Sequence, residues 1–176
     1  AATQHGRVLR LLGRSRQCVQ AMAQMEARLP GLSSRLPLPV AEFQSQNGRC
    51  RADAGEKQVA RQMFERSLYT RRSLKDEAGV AENLRDLAQL DVELGNAEAG
   101  VRGYRAALAH LQAHGYARHP LVIEIQRSLA LLYRNRGETD AALASFQRAR
   151  ELSEEIHGPR HPLTQALRRH IAAVHV

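Results

Sequence analysis

The chain has 176 residues, a formal net charge of +8 and a sequence pI near 10.4. An apolar share of 43% excludes a disordered polyelectrolyte, and no apolar run is long enough to span a bilayer. Only Lys57 and Lys75 are lysines, so arginine carries nearly all of the positive charge.

Taken in order, the chain reads as a series of amphipathic helix pairs. The first pair is expected over 1–12 and 14–28, within a first unit spanning 1–30. Residues 31–40, GLSSRLPLPV, form the one stretch rich in Pro and Ser and read as a loop between units rather than a domain linker. The second unit, 41–75, carries helices over 41–54 and 56–74, and the third, 79–115, carries them over 79–94 and 96–114. The fourth, 120–158, carries helices over 120–135 and 138–156, and Pro162 opens a capping helix over 162–176. The sequence begins and ends inside expected helices, which reads as a piece of a longer protein.

The pairs repeat. Gly13, Gly55, Gly95 and Gly137 stand at intervals of 42, 40 and 42 residues. Nine residues after each lie Met22, Phe64, Tyr104 and Phe146; five after lie the small Cys18, Ala60, Gly100 and Ala142. Seven residues before each lie Gly6, Gly48, Ala88 and Ala130, again small. A period of this size is the mark of a stacked array, in which each helix pair has an apolar stripe too wide to bury alone. The small slots allow close helix approach, the aromatic slot fills the space between helices, and the glycine supplies a left-handed turn. The expected continuous core contains Ala60, Phe64, Leu68, Leu87, Ala88, Tyr104, Leu108, Leu129, Ala130, Tyr133, Ala142 and Phe146.

The run Ser128-Leu129-Ala130, Leu132-Tyr133, Gly137, Ala142, Phe146 and His157-Gly158-Pro159-Arg160-His161-Pro162 resembles the tetratricopeptide repeat, and most closely its longer kinesin-light-chain type. The resemblance covers nearly the whole chain and is strongest from residue 79 onward. It weakens in the second unit, where Asn47 and Arg51 replace apolar residues of the first helix. That unit is accordingly expected to be the least protected, over 31–54, unless Leu36 or Leu38 folds over the gap as a plug. The resemblance implies an all-α, right-handed superhelical solenoid of about nine helices in antiparallel pairs. It also implies a non-catalytic scaffold whose concave face binds a protein or peptide.

The candidate binding residues follow from the same alignment. Arg85, Arg127 and Arg169 occupy one slot at intervals of 42 residues, a slot that lies on the concave face of the proteins this chain resembles. The stripe Glu82-Arg85-Gln89-Val92 recurs as Glu124-Arg127-Leu131-Arg134 and as Ala166-Arg169-Ala173-Val176. The next slot, where the family places an Asn that holds ligand backbone, carries Asp86, Ser128 and His170, so that contact does not transfer intact. Arg85, Gln89, Arg127, Leu131, Arg134 and Arg169, with Asp86 and Ser128, are therefore the expected groove residues. The guanidinium ladder would read carboxylates of an acidic peptide by forked hydrogen bonds. The competing reading pairs Glu82 with Arg85 and Glu124 with Arg127 along their own helices.

No phosphate-binding glycine loop, nucleophile elbow, HExxH or CxxC is present, so the chain reads as non-catalytic, with no cofactor. His110 and His114 have acceptable metal-ligand spacing, with His119 close by, but lack a carboxylate at fixed spacing and read as surface residues; no metal site is assigned. Cys18, in a small slot, reads as a free small hydrophobe, and two cysteines argue against a disulfide-stabilised secreted domain, which points to a reducing, cytoplasmic setting. A regulatory or self-assembly domain packing on its parent protein is the alternative function. Single-stranded nucleic acid ranks third, because Phe64, Tyr104 and Phe146 belong to the packing slot and only Tyr116 lies in an obvious loop.

Overall fold

Glycine at the helix turns sets the register of the array. Gly13, Gly55, Gly95 and Gly137 adopt φ of 67°, 87°, 85° and 75°, and a Cβ at any of them would meet nothing within 4 Å. The backbone angle alone selects glycine there. The computed structural model describes residues 2–27, 29 and 31–174. Among the described residues there are nine helices and no strand: α1 (Ala2–Leu11), α2 (Ser15–Glu26), α3 (Pro37–Asp53), α4 (Lys57–Ser73), α5 (Glu77–Glu93), α6 (Ala97–Ala113), α7 (Pro120–Asn135), α8 (Thr139–His157) and α9 (Pro162–Ala173). The second-unit helix starts at Pro37, inside the stretch expected to be loop, because Pro at the first helical turn is already set for helix.

Two of the helix starts explain the recurring His-Pro dipeptide. His119 Nδ1 accepts a hydrogen bond from the Leu121 amide at 3.2 Å, and His161 Nδ1 accepts from Leu163 at 3.3 Å, each followed by Pro at the first helical position. Between pairs, Gly115 and Gly158 turn the chain with φ of 82° and 88°. The corresponding turn after α4 uses Lys75, at φ 56°.

Helices contact their sequence neighbours, with α1 against α3 and α3 against α5 as further contacts, as a linear stack requires. The expected core residues are buried, apart from Leu87 and Leu108, which pack half-buried against it. The core is not continuous, however. It divides into a cluster of Leu9, Cys18, Met22, Phe43 and Cys50, a small one of Ala60, Phe64 and Leu90, and a large one from Ala81 to Leu167. The break falls where α3, α4 and α5 meet, and that seam is polar. Ser45 and Ser67 hydroxyls lie 2.8 Å apart and share their two protons between each other, the Ala41 carbonyl and Asn83 Oδ1. Asn83 Nδ2 donates to the Phe64 carbonyl at 2.8 Å. All three side chains are buried, so satisfied hydrogen bonds replace apolar contact at this joint.

The weak unit is completed from α2. Asn47 and Arg51 both reach Glu26, at 3.3 and 3.1 Å, and Arg51 also pairs with Glu56 at 2.6 Å. Leu36 and Leu38 are exposed, so neither is the plug; Phe43 is buried instead.

The cysteines require a correction. Cys18 and Cys50 are joined as a disulfide with Cα atoms 5.6 Å apart, tying α2 to α3. Cys18 does occupy a fully buried small slot, but the fold places the buried Cys50 beside it. The free-thiol ground for a reducing setting therefore falls away. Among the described residues, no helix is long and apolar enough to cross a membrane.

Candidate binding groove

The inner helices α1, α3, α5 and α7 line one groove of about 950 Å³. Arg85, Asp86 and Gln89 of α5 and Arg127 and Ser128 of α7 face it, together with Arg10, Arg49 and Arg71. Leu131 does not; it packs half-buried against the C-terminal core cluster. Arg134 and Arg169 also lie outside the groove lining, on the exposed surfaces of α7 and α9. Val176, the last residue of the third stripe, lies outside the described residues.

The arginines divide into two groups. Of those on α1, α3, α4 and α5, Arg10, Arg49, Arg71 and Arg85 are met by the protein's own carboxylates, whereas Arg7, at the far end of the groove, makes no ion pair among the described residues. Arg10 lies 2.6 Å from Asp53, and Arg49 lies 2.8 Å from Asp86 and 3.5 Å from Glu82. Arg71, almost wholly buried, pairs with Glu82 at 3.2 Å and Asp76 at 3.6 Å. Burial acts to lower the Arg49 pKa, but the Asp86 and Glu82 carboxylates beside it raise it overall, so its charge is held in place. Arg85 pairs with Asp86 at 3.1 Å and reaches across to Glu124 on α7 at 3.3 Å. Neither expected same-helix pair forms, because Glu82 is drawn to Arg49 and Arg71, and Glu124 to Arg85.

The second group is Arg127, Arg134 and Arg169. Among the described residues these three make no ion pair and no hydrogen bond, and all are exposed. They converge electrostatically on His170. Its pKa is lowered, first by burial and then by Arg134, Arg127 and Arg169. The imidazole stacks on Phe146 with ring centroids 5.1 Å apart and planes at 5°. His170 was legible in the sequence only as a departure from the Asn slot; its place among three cations was not.

The polar residues of the groove wall are partly committed to one another. Tyr104 Oη donates to Gln89 Oε1 at 2.6 Å, and Gln89 Nε2 donates to Glu93 at 3.0 Å. Burial pushes the Tyr104 pKa up to about 12, against the lowering effects of a hydrogen bond with Ser128 and of Arg85. Tyr104 therefore remains a neutral donor, and it holds Gln89 in position rather than leaving it free.

A family model for the tetratricopeptide repeat matches residues 121–176. No curated protein matches the sequence at a significant level. Among solved structures, the chain is similar to BtubC (BKLC) from P. vanneervenii, at 16% identity and a TM-score of 0.82, over 92% of this chain and 65% of that one. It thus spans less than two thirds of BtubC's length. It is also similar to the Q17M form of a putative kinesin light chain from P. anserina with nearly identical TPR-like repeats, at 18% identity and a TM-score of 0.76, over 99% of this chain and 83% of that one. A third likeness is to MamA, at 15% identity and a TM-score of 0.55, over 96% and 91% of the two chains. At these identities the likeness is one of fold. The chain folds as a solenoid of antiparallel helix pairs like those of tetratricopeptide repeat proteins, and residues 121–176 match the model of that family.

Proposed function

We propose that this array binds an acidic segment of a partner protein, and that the segment docks at the C-terminal end of the concave face, on α7 and α9. The observation that supports this reading is the division among the arginines. An acidic ligand approaching Arg10, Arg49, Arg71 or Arg85 must displace a carboxylate already in place. At Arg127, Arg134 and Arg169 it meets three exposed guanidinium groups that have no partner among the described residues, and forked contacts to carboxylates are what guanidinium geometry favours. Against the expected ladder, this reading drops Arg85, keeps Arg127, Arg134 and Arg169, and adds the stacked His170. No catalytic role is assigned.

The test is fluorescence anisotropy with a labelled glutamate-rich peptide as probe, comparing the R127A/R134A/R169A triple variant with R85A. The expected result is at least a tenfold loss for the triple variant, a smaller effect for R85A, and steep weakening with salt. Undiminished affinity in a folded triple variant would overturn the reading. A single-stranded oligonucleotide in the same assay tests the nucleic-acid alternative.

The assembly alternative has its own observation. Val8 and Leu11 of α1 and Leu12 just after it are exposed, Leu11 to 85%. Sedimentation of wild type against L11E distinguishes the two readings. Concentration-dependent association abolished by L11E favours assembly through α1.

A further inference from the structure

Away from the groove, the fold brings one carboxylate against two histidines that lie 33 and 37 residues further along the sequence. Glu77 stands in the first turn of α5, and His110 and His114 stand one turn apart at the end of α6. The two helices are antiparallel partners, so the start of one meets the end of the other. His110 Nε2 lies 2.9 Å and His114 Nε2 lies 3.6 Å from the same oxygen, Glu77 Oε2. All three ligand atoms fall within 4.8 Å of one another.

We propose that Glu77, His110 and His114 form a binding site for a divalent transition metal ion of the zinc class. Four details support it. The separations from Glu77 reach from just below to the upper end of the edge of a tetrahedron around zinc, about 3.3–3.6 Å for bonds of about 2.0–2.2 Å. His114 Nδ1 lies 2.9 Å from the His110 carbonyl, which only accepts, so Nδ1 carries a proton and Nε2 is the atom turned to Glu77. That is the outer hydrogen bond by which metal-bound histidines are oriented. His110 Nε2 is buried and makes no hydrogen bond although a carboxylate oxygen is 2.9 Å away. Ring nitrogen and carboxylate are thus close without being aligned for a hydrogen bond, as two ligands of one ion are. Finally, the side chains are 20–40% exposed, which leaves an entry path and room for a water at the fourth vertex.

The donor set favours Zn²⁺, Co²⁺ or Ni²⁺ over Mg²⁺ or Ca²⁺, which prefer all-oxygen cages. The competing account is a plain ion pair between protonated histidine and Glu77, and the two differ in what they bind. The site belongs to the third unit alone. At the matching distance from Gly158, the fourth unit has Ser153 and His157, and the buried Ser153 is bonded to Thr164.

The experiment titrates the metal-free protein at neutral pH with Co²⁺, read by visible absorption, and then with Zn²⁺ in competition. The expected result is one equivalent bound, displaced by Zn²⁺, with a thermal midpoint that rises on Zn²⁺ addition. E77Q, H110A and H114A should each weaken binding at least tenfold, while H157A leaves it unchanged. H114Q, at the most exposed of the three positions, serves if a smaller side chain disturbs the helix end. Failure of Co²⁺ to give an absorption band, equal binding by wild type and H114Q, or loss of binding in H157A instead would each overturn the proposal.

Discussion

Gly48 lies directly beneath the ring of Phe64: a Cβ at Gly48 would stand 2.7 Å from Phe64 Cε1 and 2.9 Å from Cδ1. The two belong to the small and aromatic slots of one repeat, sixteen residues apart, so the periodic pattern in the sequence is a contact in the fold. The first unit repeats the relationship, with a Cβ at Gly6 falling 2.1 Å from Met22 Cε. The ring of Phe64 is 2% exposed and has nowhere to move. G48A should therefore cost about 1–3 kcal/mol by overpacking, measured in urea. G6A should cost less, because a methionine tip yields where a ring does not. Equal or greater loss in G6A would contradict this account of the slot pair.

Lys75 holds a left-handed backbone where the later repeats use glycine. The conformation costs a side-chain-bearing residue about 1–2 kcal/mol, less what glycine loses through its freer unfolded chain. K75G should raise stability by up to about 1 kcal/mol in the same measurement. A loss would show that the lysine side chain makes a compensating contact.

Cys18 and Cys50 close a loop with a sequence separation of 32 residues, and they anchor the first unit to the second. On a chain-entropy basis such a link contributes about 3–4 kcal/mol. Reduction, or C18S/C50S, should loosen α1 to α3 in hydrogen exchange while α7 and α8 stay protected, since a stack unfolds by units. Identical exchange with and without reductant would remove the link from the account.

His170 carries a lowered pKa, so in the folded chain it prefers the neutral form relative to its ordinary value of 6.5. Below that value the unfolded chain binds more protons than the folded one, and stability falls as pH falls through the window just under 6.5. H170Q should flatten this part of the pH profile. A bound acidic peptide offsets the arginine charge, favours the imidazolium and should bind more tightly as pH drops from 7.5 to 5.5, with proton uptake seen by calorimetry. Proton release on binding would contradict the arrangement.

What the sequence revealed was what repeats. Turn glycines, the Gly48–Phe64 type of contact and the His-Pro helix starts each recur at 40–43 residues, so a single alignment exposes them. What it hid were pairings that occur once. Asn83 bridges Phe64 and Ser45 only because α5 crosses α4 and α3 at that point, and its slot in the next unit is the apolar Ile125. Glu124 pairs with Arg85 rather than Arg127, because a reach between neighbouring inner helices beats one along its own helix, a competition no spacing rule contains. Glu77 meets His110 and His114 for the same reason: antiparallel pairing joins residues far apart in number. Asn83→Ala should remove two buried hydrogen bonds, one to the Phe64 carbonyl and one from Ser45, and cost about 1–3 kcal/mol. A neutral effect would show that the polar seam can be replaced without loss.

The most direct test of the central claim is where an acidic ligand lands. Amide chemical-shift mapping of the labelled chain, titrated with a glutamate-rich peptide, should place the largest changes on α7 and α9 around Arg127, Arg134, Arg169 and His170. The ion-paired stretch from Arg10 to Arg71 should change little. Shifts centred on α1, α3 and α5, or none at concentrations where anisotropy reports binding, would contradict it.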